Sequence, residues 1–121
     1  MAYHTNIERD TIANKSYRKV LFTNLDFQLV LMSLRPGEEI GMEVHQETQF
    51  FRVESGTGTV ITVGPRGGVK RTRITDGSAI VIPGGTRHNV KNSGTVPLKV
   101  YTIYAPSHHP PRTHQKVKPS S

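Results

Sequence analysis

Apolar residues in this chain come in short runs of four to eight positions, each bounded by glycine, proline, asparagine or aspartate. Strands are expected over 19–22, 27–34, 40–45, 49–55, 59–63, 69–74, 78–82, 88–92 and 98–104. Their turns are Asn24, Arg35-Pro36-Gly37, Gln46 to Thr48, Gly56 to Gly58, the 64–68 hairpin, Asp76-Gly77, Gly84-Gly85 and Ser93-Gly94-Thr95. Asn6 is placed to cap a brief helical turn over 7–10, and no stretch sustains a 3.6-residue period for longer. Many short strands joined by turns define an all-β sandwich or barrel of two antiparallel sheets. The 27–34 run departs from simple alternation. Phe27, Leu29 and Leu31 share one face while Val30, Met32 and Leu34 share the other, so both faces need cover. A second subunit or the N-terminal arm can provide it, and a homodimer or larger homo-oligomer is expected. The 98–104 run repeats the pattern, with Leu98, Val100, Thr102 and Tyr104 opposite Tyr101 and Ile103.

The chain of 121 residues is long enough for one core and too short for two. It divides into a polar N-terminal arm (1–16), a β domain (17–106) and a basic tail rich in histidine and proline (107–121). The tail composition suits a segment that folds over the barrel or stays loose. No cysteine is present, which excludes disulfides, thiolate metal sites and cysteine nucleophiles. The first residues form no apolar run, and no segment is long and apolar enough for a membrane helix. A soluble cytoplasmic protein without membrane association is the resulting expectation. The net charge of +7 is uneven: acids slightly outnumber bases before Gly56, and Asp76 is the lone acid after it. Arg66, Lys70, Arg71 and Arg73 make a basic hairpin without interleaved aromatics, so nucleic acid is not an expected partner.

Two segments carry the chemistry. In the later one Gly77, Pro83, Gly85, His88 and Asn92 stand at fixed spacing. A strand ends at a proline, glycines reverse the chain, and an imidazole follows the turn. This spacing resembles the second motif of the cupin superfamily at every defining position. The family's first motif is Gly, five residues, His-x-His, three or four residues, Glu, six residues, Gly. Counted back from Gly56, its glutamate position holds Gln49, its second histidine is His45, and its first is replaced by Glu43. The opening glycine falls at Gly37, one residue out of register. The resemblance implies a cupin double-stranded β-helix, or jelly-roll barrel, covering residues 37–92 directly and most of the chain through the flanking strands.

Residues two apart on a strand share a face, so Glu43 and His45 point together. The resemblance implies that this face is the barrel interior, where His88 and Gln49 join them. Glu43, His45, Gln49 and His88 are thus the expected ligands of a divalent metal. Two imidazoles, a carboxylate and an amide oxygen suit Fe(II), Mn(II), Ni(II) or Zn(II). Glu43 is also the candidate for proton transfer. Phe51 and Val53, on the Gln49 face, are expected to wall the pocket, with Arg87 meeting an anionic ligand at the mouth and Tyr104 reaching inward. Glu47 is read as a loop carboxylate, and His108, His109 and His114 as a tail able to close the mouth.

Small stand-alone cupins of this type often carry the label mannose-6-phosphate isomerase-like, and the label does not bring that activity with it. The fold serves isomerases, epimerases, dioxygenases, decarboxylases and non-catalytic binders. The first expectation is a metal-dependent enzyme, an isomerase or dioxygenase, acting on a small polar or anionic molecule. A module that binds metal or a small ligand without turnover is the second. A scaffold with a vestigial site, its basic half meeting a polyanion, is the third.

Overall fold

Alternation along Leu98–Ala105 sorts that strand cleanly. Leu98, Val100, Thr102 and Tyr104 are buried, while Lys99, Tyr101 and Ile103 are half-exposed on the other side. The same sorting, repeated strand by strand, builds the barrel. The computed structural model describes residues 2–119. One helix, α1 (Ile7–Ala13), precedes β1 (Arg18–Thr23), β2 (Gln28–Leu34), β3 (Thr48–Ser55), β4 (Thr57–Val63) and β5 (Val69–Thr75). β6 (Ala79–Ile82), β7 (Arg87–Lys91), β8 (Leu98–Ala105) and β9 (His114–Gln115) follow. They form a six-stranded sheet in the order β6-β3-β8-β2-β1-β9 and a three-stranded sheet in the order β5-β4-β7. All pairings are antiparallel.

The core lies between the sheets. Val30, Met32, Leu34, Phe51, Val53, Leu98, Val100 and Tyr104 from the larger sheet meet Val60, Ile74 and Val90 from the smaller. Each large side chain so buried contributes roughly 1.5–3 kcal/mol of transfer free energy. The doubly apolar β2 acquires its second cover from within the chain. Asn6 caps α1 by accepting from Arg9 N at 3.0 Å, and α1 packs on β8, β3 and β2. It lies over the outward side of the sheet, where Lys99 Nζ donates to Asn14 O, and Leu31 beneath is buried. Further along the same face the Tyr3 ring stands 5.6 Å from Phe22.

Two segments differ from the expected pattern in ways that matter for the site. The expected strand over 40–45 is reduced to isolated bridges, Glu39 with Lys91 and Glu43 with His88. Gly41 takes a φ of +105°, and its N–H goes to the Asn89 side chain instead of a ladder partner. The tail, for its part, lies against the barrel. Arg18 and Lys19 pair with Gln115 and His114, and the N–H groups of His108 and His109 donate to Gln28 Oε1 at 3.1 and 2.8 Å.

Candidate metal centre

Backbone pairing places the first two side chains. Glu43 and His88 exchange both backbone hydrogen bonds at 2.9 Å. Directly opposed residues of an antiparallel pair project to the same face, so carboxylate and imidazole enter the barrel together. His45 is positioned by the glycine turn. Gly85, at φ +84°, donates its N–H to His45 O at 2.8 Å. A Cβ on Gly84 would stand 2.0 Å from Gln46 O, so the turn approaches the His45 loop more closely than any side chain permits. Gln49 opens β3 on the inward side, opposite Tyr104 on β8, and is fully buried.

The four side chains converge. Ligand atoms of Glu43, His45 and His88 all lie within 4.8 Å of one another. Glu43 Oε1 is 3.4 Å from His88 Nε2 and 3.8 Å from His45 Nε2. Each histidine is held from behind: His88 Nδ1 lies 2.8 Å from Thr86 O, and His45 Nδ1 3.0 Å from Glu47 O. A carbonyl only accepts, so each Nδ1 carries the proton, and the Nε2 of the neutral ring presents a lone pair. Gln49 Nε2 donates to Thr102 Oγ1 at 2.9 Å, which turns Gln49 Oε1 towards His45 Nε2 at 3.1 Å. Two lone pairs then face each other, an arrangement that calls for a proton or a cation between them. Glu43 Oε1 stands 3.4 Å from His88 Nε2 as an ion-pair neighbour, and among the described residues this buried nitrogen has no aligned hydrogen-bond partner.

The metal-free charges agree with this geometry. Burial works against an ionised Glu43, but the His88 imidazole, with His45 and the Arg18 guanidinium nearby, holds its carboxyl below the usual range. Burial likewise works against a charged His88, yet Glu43 and the Thr86 carbonyl raise its pKa above the ordinary imidazole value. Glu43 therefore stabilises the fold above its unfolded pKa, and this contribution is lost as pH falls through the depressed one. His88 contributes below its unfolded pKa and loses that contribution as pH rises through the raised one. A metal ion held by this cluster would take the place of the His88 proton. Melting curves with and without Zn(II) are accordingly expected to coincide in mild acid and to separate as pH rises through the His88 transition. Curves that never separate would count against a metal at these residues.

Around the centre the tail forms a lid of aromatic rings. The His108 ring lies 4.8 Å from His45 and stacks on Tyr104 at 5.1 Å, with its Nδ1 3.1 Å from Glu47 Oε1. His109 Nε2 approaches the Tyr104 hydroxyl at 3.3 Å. Burial, with the charges of Arg18 and His108, pushes His109 down to about 4, so it is neutral near pH 7. Burial raises the Tyr104 phenol, which stays protonated.

The remaining candidates fall in different places. Phe51 and Val53 are inward and fully buried among core residues. Arg87 precedes His88 on β7, so it points to the opposite face, where it is exposed beside the Gly64 hairpin. The cation whose charge is felt at the site is Arg18. It sits opposite Met32 on the inward side of β1, donates from Nη1 to Gln115 Oε1 at 2.5 Å, and has no partner for its buried Nε among the described residues. Nothing in the local pattern around Arg18 marks it, because its role follows from β1 lying next to β9. Asn89 and Asn92 are structural. Asn89 Nδ2 donates to Glu39 Oε1, fastening the Glu43 segment to β7. Asn92 Nδ2 donates to Leu34 O and Val96 O.

Two antiparallel sheets closed around an inward cluster of two histidines and a glutamate describe a small cupin. The family's domain model matches residues 30–104, and the chain belongs to the cupin family. An uncharacterized Bacillus subtilis protein, YrkC, is 46% identical over 115 residues, covering 93% of this chain and 62% of its own length. The chain thus spans less than two thirds of that relative. An uncharacterized protein of Acanthamoeba polyphaga mimivirus is 42% identical, over 98% of this chain and 74% of its own. The crystal structure of BH2720 from Bacillus halodurans superposes with a TM-score of 0.92 at 41% identity, covering 97% of this chain and 90% of the other.

Proposed function

We propose that this cupin is a metal-dependent enzyme that takes a small anionic molecule into the barrel mouth. The observation that carries the reading is the convergence of lone pairs. Both imidazoles are pinned through Nδ1, and the buried Nε2 of His88 has no aligned hydrogen-bond partner among the described residues. Glu43, His45 and His88 would hold the ion, with Gln49 Oε1 as a weaker fourth donor. This nitrogen and oxygen set suits Fe(II), Mn(II), Ni(II) or Zn(II). When bound, the ion supplies Lewis acidity to a substrate oxygen.

The chain's own residues have separate tasks. Glu43, the most exposed member of the triad, is suited to accept or return a substrate proton at its carboxylate. Neutral Tyr104 and His109 offer hydrogen bonds without adding charge, and the stacked His108 ring keeps water from the interior. Arg18 favours a negatively charged guest. Elemental analysis of the purified protein, followed by X-ray absorption, tests the reading. About one metal per chain with an open coordination position is the expected result, and no metal after reconstitution with all four ions would overturn it.

The covered mouth favours one second reading, a binding module without turnover. Deleting residues 107–121 separates the two. If the tail is an opening lid over a working site, the truncated protein is expected to release metal to EDTA only several-fold faster than the full chain. A full chain that exchanges no metal over hours, while the truncated form does, would favour the closed binding module.

A further inference from the structure

We propose that a cationic cleft between the end of β2, the start of β8 and the C-terminal strap binds a small phosphate-bearing polyanion. The cleft has a volume of about 310 Å³ and is lined by Lys15, Arg35, Lys99, Lys116 and Lys118, with Glu38 the one acid among them. That volume is near the lower limit of small-molecule sites.

These cations come from separate stretches of sequence, and the fold gathers them. Ser33 pairs with Lys99 across β2 and β8. Ser33 N also donates to Ser16 O, bringing Lys15 alongside, and Tyr17 N donates to Lys116 O, which attaches the strap. None of the six ion pairs among the described residues uses any of the five. The carboxylate of Glu38 accepts from Arg35 N instead. Lys99 Nζ and Lys118 Nζ are each fixed by a backbone carbonyl, Asn14 O and Glu39 O, both at 2.5 Å. An ammonium has three donors, so each retains two for a guest.

Five cations therefore face one acid, Glu38. Burial first, and then the charge of Lys15, lower the Lys99 pKa, so the two ammoniums are close enough to repel. An anion relieves that repulsion. Four ammoniums to one guanidinium suit charge spread over tetrahedral phosphate more than the planar fork of a carboxylate. The cleft shares no lining residue with the metal cluster. Ser33 lies five residues along β2 from Gln28, roughly 17 Å at the rise of a strand, and Gln28 pairs with Tyr104 at the metal end. The inference therefore stands whether or not a metal binds.

Calorimetric titration of the full-length protein with inorganic pyrophosphate at about 0.15 M salt is the test. The double variant Lys15→Gln/Lys116→Gln changes two exposed cleft residues. Arg66→Gln/Arg71→Gln removes the same charge from the exposed hairpin and serves as the control. One binding site is expected, weakened roughly tenfold or more in the cleft variant and nearly unchanged in the hairpin variant. Equal weakening in both would mean diffuse charge and overturn the site, as would absence of binding to wild type. Citrate binding as tightly as pyrophosphate would overturn the phosphate class.

Discussion

His88→Ala is expected to abolish stable metal binding while leaving the β fold intact. The substitution removes a proposed ligand whose Nδ1 is already oriented by Thr86 O. Loss of a supporting residue behind a ligand typically costs about 10–100-fold in affinity, and loss of the ligand itself costs more. Backbone pairing of residue 88 with Glu43 and with Thr62 does not depend on the side chain, so circular dichroism is expected to report an unchanged β protein. Gln49→Ala should weaken binding less, because an amide oxygen is the poorest donor of the four. Gln49→Glu should tighten it, since the Thr102 hydroxyl can turn to donate to the new carboxylate. Metal content by elemental analysis, measured on folded protein in each case, decides the matter. Equal content in wild type and His88→Ala would sink the proposed centre.

Phe51→Ala is expected to cost about 3–5 kcal/mol of stability, the range for truncating a fully buried aromatic ring. Phe51 is 1% exposed and packed in the core. It stands opposite Thr102 on β8, one inward position along from Gln49. Urea unfolding should show a lower midpoint with the slope preserved, the signature of lost stability without a changed denatured state. Phe51→Leu refills much of the volume and should keep both fold and metal content. A Phe51→Ala protein as stable as wild type would show instead that the ring walls an open pocket.

Much of the barrel was legible in the one-dimensional pattern. Alternation separated Val30, Met32 and Leu34 from Leu29 and Leu31, and Leu98, Val100, Thr102 and Tyr104 from their neighbours, because a strand sends successive side chains to opposite faces. The spacing from Gly77 to Asn92 likewise exposed the cupin resemblance and the position of His88. The same rule placed Glu43 and His45 together, although the strand it assumed is absent. Their shared direction comes from the Glu43–His88 bridge and from Gly85 holding His45 O.

What the pattern left open depends on contacts between distant segments. Whether α1 or another subunit covers Leu31 is decided by where the arm lands on the sheet, and composition does not encode that. Arg87 reads as the cation of the mouth because it adjoins His88, yet adjacency on a strand sends it to the other face. Arg18, far away in sequence, is the cation whose charge is felt at the centre, because β1 lies between β2 and β9. The tail is the clearest case. Its prolines and charges disqualify it as a core segment, and this says nothing about whether it docks. Its place is set by particular hydrogen bonds: His108 and His109 to Gln28, Gln115 to Arg18, and Lys116 O to Tyr17 N. The sequence by itself determined the barrel through local periodicity, and through the cupin resemblance it pointed to the candidate cluster of Glu43, His45 and His88. Tertiary structure decided the lid, the interior arginine and the cationic cleft, since each depends on which strands become neighbours.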